Sequence, residues 1–448
     1  MQADIRLSEG DQRMTFNVIE FIEKKRDGFR HTEKELHLFI DSVMRKVIPD
    51  YHISAWLMAA FLNGMDDDEL MHFTQALAHS GETLNYPPEE RIIDKHSTGG
   101  VGDKTTLVLI PLVAACGSRI SKLSGPGLGY TGGTIDKLES IPGMNMHLTE
   151  TEFRDQVNSI GCAISGHSHK LAPAEGKFYK LRDVTGTVPS IPLITASIVS
   201  KKLAGGAYGY LFDVKCGSGA FMKDIGEARK LAQKLVDISK KLGKVCVSVI
   251  TDMEQPLGEW VGNSAEVCEA IEVLSGKGPS DTRELCLTLA AYMLNMSGRA
   301  NTFEEGLKIS SKALDDGSAL KKFEELIIAQ KGDSAVISEP EKVLPKASST
   351  YDIRSDRDGY LSKLDALLVG EGLRALGGGR LTQEDTIDPS VAIRLLHKVG
   401  DKVSEDDVLL KIYYNQEKQL RESLPYVEKC WKVSDSAEIR KLIIDTVR

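Results

Sequence analysis

Apolar residues recur at helical spacing through the first part of the chain, between Asn17 and Leu77. They are three or four positions apart, the spacing that lines one face of a helix, and they include Ile19, Ile22, Leu36, Phe39, Ile40, Val43, Leu57, Met58, Phe61 and Leu62. Gly28, Pro49 and Gly64 interrupt the pattern, as helix-breaking residues do. The pattern therefore predicts a bundle of short helices.

From residue 92 to residue 342 the pattern changes to short β-rich runs that alternate with helical ones. Residues 119–124 and 245–251 are clear strand candidates, and the clearest helix, over residues 228–242, ends at Gly243. Alternating strands and helices indicate an α/β domain. A polar linker is expected near residues 332–350.

The region after this linker has a different pattern of secondary-structure signals. Short strand candidates surround the segment 377–380, and residues 399–403 precede the β-like run 408–413. Short strands of this kind, bounded by glycines, predict a small α+β terminal domain.

Composition narrows the classes of partner and compartment. The 448 residues carry a net charge of -9 without an arginine-rich arm or basic stripe, so no nucleic-acid partner is expected. No stretch approaches the roughly 18 apolar residues of a membrane span, and the amino terminus is acidic rather than apolar. The seven cysteines are odd in number and form no CxxC pair, which favours free thiols. We therefore expect a cytoplasmic protein.

Two glycine-rich segments are candidate anion sites. The first, KHSTGGVGDKTT, covers residues 95–106 and leads into an apolar run in which Pro111 favours an early helix turn over a central strand. The second, SGPGLGYTGGTIDKLE, covers residues 124–139, with a helix expected from Thr134. Glycines let backbone N–H groups approach an oxyanion, and a helix start favours negative charge.

The alternative reading is that these segments are tight turns of an α/β sheet. For one loop the two readings have about even weight. Two loops, with Lys95, Ser97 and Thr106 as further donors, favour the anion site. Neither segment has the spacing of a P-loop or a dinucleotide fingerprint. We therefore expect a small or phosphoribosyl-like anion.

The same residues carry a family resemblance. KHSTGGVGD at 95–103, and then the pattern SG-x-GLG-x-TGGT-x-DKLES-x-PG from Ser124, resemble the thymidine and pyrimidine nucleoside phosphorylase family. The similarity continues through residues 178–185, 190–202 and 212–222, so it covers almost the whole chain. It implies a homodimer whose active site lies in the cleft between a helical lobe and an α/β lobe.

Pattern and resemblance together predict the fold class and the domains. The expected fold is α/β, with a small helical lobe, a large α/β lobe with a mixed sheet, and a C-terminal α+β subdomain. The predicted bounds are 1–78 with a returning segment at about 174–205 for the helical lobe, 79–173 and 206–340 for the α/β phosphate-binding lobe, and 345–448 for the subdomain.

The resemblance also implies roles for individual residues. The implied phosphate-binding residues are Lys95, Ser97, Thr106, Ser124 and Thr134. The implied base-binding residues are Arg182, Ser197 and Lys201 with Tyr179 nearby, and Leu128, Val188, Ile194, Phe221, Met222 and His167 border the nucleoside. His96 matches a histidine near the pyrimidine O2, and some members hold a potassium ion, which here would involve Gly102, Leu257 and Glu269.

These residue types suit phosphorolysis, the cleavage of a nucleoside by inorganic phosphate. Phosphate has to be held in line with C1′, and donors have to meet the negative charge that gathers on the base. The guanidinium of Arg182, the ammonium of Lys201 and the hydroxyl of Ser197 match the edge of a uracil or thymine. His96 can donate a proton or a hydrogen bond, so His96, Arg182 and Lys201 are the predicted catalytic residues. Phosphate is a co-substrate, and no other cofactor is required.

The chain departs from the family pattern in the second segment. Pro126 and Tyr130 stand where the family has arginine and histidine, so a charge and several donors are lost. His167, Ser168 and the run 185–189 also differ from the usual residues. We predict that nucleoside preference is shifted from thymidine toward uridine or a modified pyrimidine nucleoside.

Two other functions stay open at this point. A phosphoribosyltransferase would use similar glycine loops, but it would need magnesium and acidic ligands near the ribose. A weakly catalytic binding homologue is suggested by Pro126 and Tyr130. The set of Arg182, Ser197 and Lys201, suited to a pyrimidine edge, favours phosphorolysis.

Overall fold

A computed structural model describes residues 16–125, 127, 132–166, 168, 170–380 and 385–448. The chain divides into two compact units. The helical unit contains the residues up to 86 together with 168–207 and 233–245, and the α/β unit contains residues 87–167, 208–232 and 246–448. None of the helices in the described part of the chain is long and apolar enough to cross a membrane.

The helices and strands follow one another along the described residues as follows. The helices are α1 Val18–Arg26, α2 Glu33–Met44, α3 Asp50–Asn63, α4 Asp67–Ala78, α5 Thr105–Ala115, α6 Thr134–Leu138, α7 Glu150–Ile160, α8 Pro173–Thr185, α9 Ile191–Ala204, α10 Ile225–Lys241, α11 Asn263–Leu274, α12 Ser280–Met296, α13 Phe303–Asp315, α14 Ser318–Ala329, α15 Ala335–Ser338, α16 Pro340–Val343, α17 Ala366–Ala375 and α18 Glu417–Val427. A single 3-10 turn covers Pro88–Glu90. The strands are β1 Ile93–Ser97, β2 Ile120–Ser124, β3 Cys162–Gly166, β4 Gly209–Cys216, β5 Val245–Asp252, β6 Trp260–Val261, β7 Ser349–Arg354, β8 Gly359–Leu364, β9 Ala392–Leu395, β10 Lys402–Val403, β11 Val408–Tyr414, β12 Trp431–Ser434 and β13 Ile443–Val447.

The helical unit confirms the predicted bundle of short helices. Helices α1 to α4 are separated near the predicted glycine and proline breaks, and α8 and α9 pack with them. Thr32 and Glu35 form a capping box at the start of α2, which satisfies N–H groups that the first turn leaves without partners. The aromatic rings of Phe39, Trp56 and Phe178 contact one another in the core of this unit.

The α/β unit is built on a six-stranded mixed sheet with the strand order β13-β5-β4-β1-β2-β3. Strand β1 pairs in parallel with β4 and β2, and β2 pairs in parallel with β3. Strand β13 pairs antiparallel with β5. The predicted mixed sheet is therefore confirmed. Ligands of such sheets bind beyond the carboxyl ends of the parallel strands, where the loops after β1 and β2 lead into α5 and α6.

Two local expectations differ from the structure. Pro111 lies inside α5 rather than in its first turn. Helix α5 is buried over Thr105 to Ala114, so packing on all sides offsets the backbone hydrogen bond that proline cannot donate. The expected polar linker contains the short helices α15 and α16, whose four-residue length is too short for a periodic signal.

The last strand of the chain also belongs to a different sheet from the one predicted. Strand β13, placed by the sequence in the terminal α+β part, completes the six-stranded sheet. It covers the β5 edge, which would otherwise present unpaired backbone groups. The rest of this region forms the three-stranded sheet β10-β8-β12 and, together with β6 from the preceding part of the chain, the four-stranded sheet β6-β9-β11-β7. Strand pattern alone does not tell which sheet a strand joins.

Candidate active site

The first glycine-rich segment holds a buried lysine at the start of a helix. Lys95 lies on β1 and is fully buried. Its Nζ donates to Thr105 Oγ1 at 2.6 Å and to Thr106 Oγ1 at 3.4 Å, in the first turn of α5. The structure thus brings two of the predicted phosphate residues, Lys95 and Thr106, into direct contact where a strand ends and a helix begins.

Asp103 connects Ser97, the third predicted phosphate residue of this segment, to Thr105. Its carboxylate accepts hydrogen bonds of 2.5 Å from Ser97 Oγ and from Thr105 Oγ1. Burial by itself would raise the pKa of Asp103, but Lys95, Lys215 and Lys137 lower it well below its usual range. Asp103 therefore stays ionised and fixes the two hydroxyls. We did not predict this role, although Asp103 is part of the KHSTGGVGD motif.

A second buried carboxylate lies behind Lys95. Asp213 on β4 is 3.8 Å from Lys95 Nζ and 2.8 Å from Lys215 Nζ, and all three side chains are fully buried. Thr251 Oγ1 donates to the other oxygen of Asp213 at 2.7 Å. Burial lowers the pKa of Lys215, and Asp213 and Asp103 more than offset this, so its pKa is raised. Asp213 and Lys215 lie far along the chain from the segment, and no local pattern predicts them.

The second glycine-rich segment is held by Asp136 on α6. Its Oδ2 accepts from the backbone N–H groups of Gly127 at 2.7 Å and Gly133 at 2.6 Å, and its Oδ1 is bound by Arg380. Ser124 is the last residue of β2 and Thr134 the first of α6. These two predicted phosphate residues lie on the segment that Asp136 shapes.

Other predicted residues of the α/β unit occupy different environments. His96 lies between Lys95 and Ser97 on β1 and is half-buried. Phe221 is 54% exposed, whereas Met222 is buried. Leu128, His167 and the departures Pro126 and Tyr130 lie outside the described residues.

The predicted base-binding residues all lie in the helical unit. On α8, Tyr179 and Arg182 follow Glu175 at the i, i+4, i+7 spacing of one helix face. On α9, Ser197 and Lys201 are four residues apart and so share a face too. The structure brings the α9 pair together with Glu175.

Glu175 is the polar centre of this set. This buried carboxylate accepts a hydrogen bond from Ser197 Oγ and pairs with Lys201 Nζ at 3.0 Å. Lys201 Nζ also donates to Ser197 Oγ at 3.2 Å and lies 5.5 Å from the centre of the Tyr179 ring. Glu175 was not predicted from the sequence, although its spacing from Tyr179 and Arg182 places all three on one helix face.

Arg182 is bound to backbone in this structure. Its guanidinium donates to the carbonyls of Thr187 at 3.4 Å, Val188 at 2.7 Å and Leu193 at 3.0 Å. Burial lowers the pKa of Arg182, and Glu175 opposes this effect. Arg182 therefore fixes the segment between α8 and α9, which carries the half-buried Val188, to the first turn of α9, which carries the half-buried Ile194. Nη1 and Nη2 each carry a second N–H group, and these two groups take no part in the three hydrogen bonds to backbone.

A small pocket in the helical unit lies between α8 and α9, which carry the predicted base-binding residues. It is lined by apolar side chains of α3, α4, α8 and α9 and by three polar side chains, namely Leu57, Phe73, Leu77, Phe178 and Leu193 with Glu175, Arg182 and Ser197. Its volume of about 10 Å³ leaves room for one water molecule at most, so the polar groups of α8 and α9 meet inside a packed core in this structure.

The residues expected near potassium surround a lysine instead. Lys104 Nζ donates to Leu257 O at 3.0 Å and to Glu269 Oε1 at 2.9 Å. The Gly102 carbonyl accepts from the Lys104 backbone N–H at 2.9 Å. The oxygen atoms on which the resemblance would place the ion are therefore engaged by one residue, and they do not fit an additional cation.

Three known domains match the chain in sequence. Residues 19–81 match the helical bundle domain of the glycosyl transferase family, and residues 89–320 match its a/b domain. Residues 360–434 match the pyrimidine nucleoside phosphorylase C-terminal domain.

Individual proteins resemble the chain over most of its length. It is 48% identical over 401 residues to a pyrimidine-nucleoside phosphorylase of Geobacillus stearothermophilus, across 89% of this chain and 92% of that one. It is 47% identical, with the same coverage, to a pyrimidine-nucleoside phosphorylase of Staphylococcus haemolyticus. An anthranilate phosphoribosyltransferase from Thermus thermophilus has a TM-score of 0.58 and 16% identity, over 69% of this chain and 99% of that one. This last likeness shows the fold alone.

The fold and the matched domains define a pentosyltransferase of the glycosyl transferase type. More particularly, the chain belongs to the pyrimidine nucleoside phosphorylase family, as its resemblance to the family predicts.

Proposed function

We propose that the chain catalyses phosphorolysis of a pyrimidine nucleoside, which yields the free base and α-D-ribose or α-D-deoxyribose 1-phosphate. The observation that carries the proposal is the 48% identity, over 89% of the chain, with a pyrimidine-nucleoside phosphorylase. Of the alternatives, a phosphoribosyltransferase is supported only by a likeness of fold at 16% identity, and a fold does not define an activity.

Phosphate is assigned to the glycine-rich segments of the α/β unit. Lys95 supplies a positive charge, and Ser97, Thr106, Ser124 and Thr134 supply hydroxyl donors. Support comes from the contact between Lys95 and Thr106 and from Asp103, which holds Ser97. Groups fixed in advance lose little freedom when they bind an oxyanion, and they orient it for attack on C1′.

The base is assigned to the helical unit. In the reaction a phosphate oxygen forms a bond to C1′ while the C1′–N1 bond breaks, and its electron pair moves onto the pyrimidine, which then takes up a proton. Lys201 and Ser197, held by Glu175, and the remaining N–H groups of Arg182 can stabilise the anionic base. His96 is the proposed donor near O2.

The proposal includes a shifted nucleoside preference. Pro126, Tyr130, His167 and Ser168 differ from the usual residues of the family, as does the run 185–189. Fewer charged donors beside the nucleoside change the contacts that select among substrates. We expect uridine or a modified pyrimidine nucleoside to be preferred to thymidine.

The experiment is a nucleoside panel assayed with and without phosphate at constant ionic strength. Base release is followed by chromatography, and the sugar phosphate by phosphorus NMR. We expect base release only with phosphate and in equal amounts with sugar 1-phosphate. Base release without phosphate, or only from a nucleoside 5′-monophosphate with pyrophosphate and magnesium, would contradict phosphorolysis. Equal turnover of thymidine and uridine would contradict only the shifted preference.

The same proposal covers assembly and compartment. The seven cysteines are free thiols, all of them buried or half-buried, which supports a reducing, cytoplasmic setting. The family resemblance supports a homodimer. Sedimentation equilibrium of the purified chain tests the dimer, and a monomer at all concentrations would contradict it.

A further inference from the structure

Lys104 is a buried lysine that neither the phosphate set nor the base set uses. Its side chain is 0% exposed, and its Nζ donates to Leu257 O at 3.0 Å, Trp260 O at 2.9 Å and Glu269 Oε1 at 2.9 Å. An ammonium has three N–H donors. Each of them therefore has an oxygen acceptor.

Glycine backbone closes tightly around this ammonium. A Cβ on Gly258, where φ is +71°, would lie 1.8 Å from Glu269 Oε1 and 2.7 Å from Lys104 Nζ. A Cβ on Gly102, where φ is +72°, would lie 2.4 Å from Leu257 O. Any other residue at either position would displace the acceptors. The cation position is thus formed by backbone as well as by side chains.

The surrounding charges keep the lysine protonated. Burial by itself lowers the pKa of Lys104, but the carboxylates of Glu269 and Glu266 raise it above its ordinary value. Glu269 also accepts from the backbone N–H groups of Glu259 and Trp260, so its orientation is fixed. Glu266 pairs with Lys137 at 2.6 Å.

Carbonyl and carboxylate oxygens of this kind are also the ligands that replace the hydration shell of potassium. Two of the residues expected near potassium, Leu257 and Glu269, bind the ammonium of Lys104, and a second cation among the same oxygens would be repelled. We propose that Lys104 is a built-in cation that takes the place of a monovalent metal ion, so that this chain closes its first glycine-rich segment without potassium.

The position of Lys104 gives this substitution a consequence for the phosphate segment. Lys104 lies between Asp103 and Thr105, and its backbone N–H donates to the Gly102 carbonyl. Leu257 in turn donates its backbone N–H to Val101 O at 3.1 Å. The buried ammonium therefore fastens the loop after β1 to the segment 257–260. The loop is fixed by a covalently attached charge whatever the salt composition.

The first test uses the unaltered protein. Equilibrium dialysis with rubidium or thallium measures binding of a potassium-like ion, and thermal unfolding is compared in potassium chloride and tetramethylammonium chloride at equal ionic strength. We expect no saturable binding and an unchanged Tm. Saturable binding of one ion per chain together with a potassium-dependent Tm would overturn the proposal. Neither measurement requires catalytic activity.

The second test converts the lysine site into a metal site. Lys104→Ala leaves the acceptors around a hole, whereas Lys104→Met fills the hole without charge and is the matched control. We expect Lys104→Ala to lose thermal stability in tetramethylammonium chloride and to regain it, saturably, with potassium or ammonium. Lys104→Met should lose stability without this recovery. Full stability of Lys104→Met in the absence of potassium would overturn the proposal. If Lys104→Ala does not fold, the first test and Lys104→Met decide.

Discussion

The Lys95 segment of the α/β unit and the Glu175 face of the helical unit fix their polar groups in different ways. In the first, charges of both signs balance one another where parallel strands end, with the half-buried Asp103 and the fully buried Asp213 against the fully buried Lys95 and Lys215. In the second, one carboxylate and one guanidinium hold neighbouring side chains and backbone across two helices. In the Lys95 segment, several charged residues hold the proposed phosphate-binding side chains. On the Glu175 face, the proposed base-binding side chains depend on single charged residues.

This difference has a physical consequence for substitutions. Removing one partner from a buried ion cluster leaves an uncompensated charge, which is costly. Removing Glu175 should instead disturb Ser197 and Lys201 together, because it contacts both. Removing Arg182 should release the backbone that carries Val188. A variant in one unit that alters the binding function proposed for the other unit would therefore contradict this difference.

The largest effect is expected for Lys95→Ala. Loss of the buried ammonium removes a charge from the proposed phosphate position, and loss of one stabilising donor reduces rates by about 100-fold or more. We expect kcat/KM for phosphate to fall by this factor while KM for the nucleoside stays nearly constant. Steady-state kinetics with each substrate varied provides the measurement.

The control for this variant is Lys230→Ala. Lys230 is exposed and pairs only locally with Glu227, so its removal should leave both kinetic constants unchanged. A change confined to KM for the nucleoside in Lys95→Ala would break the proposed division between the two units.

A smaller effect, mainly on stability, is expected for Arg182→Ala. The substitution leaves the carbonyls of Thr187, Val188 and Leu193 without their donor, and unsatisfied buried groups of this kind cost about 1–3 kcal/mol. The free energy of unfolding should fall by roughly 3 kcal/mol, and KM for the nucleoside should rise. Denaturant unfolding and kinetics are measured on the same preparation.

Arg182→Lys separates charge from geometry. It keeps the positive charge but loses the planar fork of donors, so most of the stability loss should remain. Wild-type stability in either variant would show that the three backbone hydrogen bonds are not important.

A moderate effect on base binding is expected for Glu175→Gln. The amide keeps a hydrogen-bond acceptor for Ser197 but removes the charge that pairs with Lys201. We expect KM for the nucleoside to rise about tenfold, the equivalent of roughly 1.4 kcal/mol, with kcat/KM for phosphate little changed. Glu175→Asp, which keeps the charge on a shorter side chain, should recover part of the loss. An equal fall in both specificity constants would contradict a positioning role in the helical unit.

The smallest effect is a difference in acid sensitivity between the units. Burial lowers the pKa of His31 from 6.5 to about 3, and its Nε2 accepts from Trp56 Nε1 at 3.1 Å. Below pH 6.5 the unfolded chain binds a proton that the folded chain does not, so stability falls with pH across the window from 6.5 to about 3. The slope is at most about 1.4 kcal/mol per pH unit.

Asp103 does not contribute to this pH dependence until the pH falls into the ordinary aspartate range. Its lowered pKa contributes stability that is present above the ordinary aspartate range and is lost only below it. As the pH falls from 6.5 to 4, amide protection factors, which correct for the intrinsic pH dependence of exchange, should therefore decrease in the helical unit but not in residues 95–106. His31→Gln should abolish this dependence, and His147→Gln, at an exposed position, should not. Equal loosening of both units would contradict the assignment.

Much of the architecture could be predicted from local pattern. Helical spacing and the glycine and proline breaks located α1 to α4, and the alternation of strands and helices indicated the mixed α/β sheet. The membership of β13 in that sheet could not be predicted, because a short apolar run carries no information about its partner. The short helices α15 and α16 were missed because they span barely one turn.

Contacts within the candidate site could be predicted where they follow a motif, and not where they depend on packing. Lys95, Ser97 and Thr106 belong to one contiguous segment, so the sequence could group them. Asp213 reaches Lys95 only through the pairing of β4 with β1. The three backbone bonds of Arg182 likewise depend on how the chain turns between α8 and α9, which the side-chain pattern does not encode.

Phosphate is proposed to bind the Lys95 segment, and the base to bind the helical unit. Calorimetric titration of phosphate into the wild-type chain, Lys95→Ala and Lys201→Ala distinguishes these two sets, because the two variants remove the same side chain from each of them. We predict phosphate binding by the wild type and Lys201→Ala with similar affinity, and its loss in Lys95→Ala. Undiminished binding by Lys95→Ala, or its loss in Lys201→Ala, would contradict this proposal.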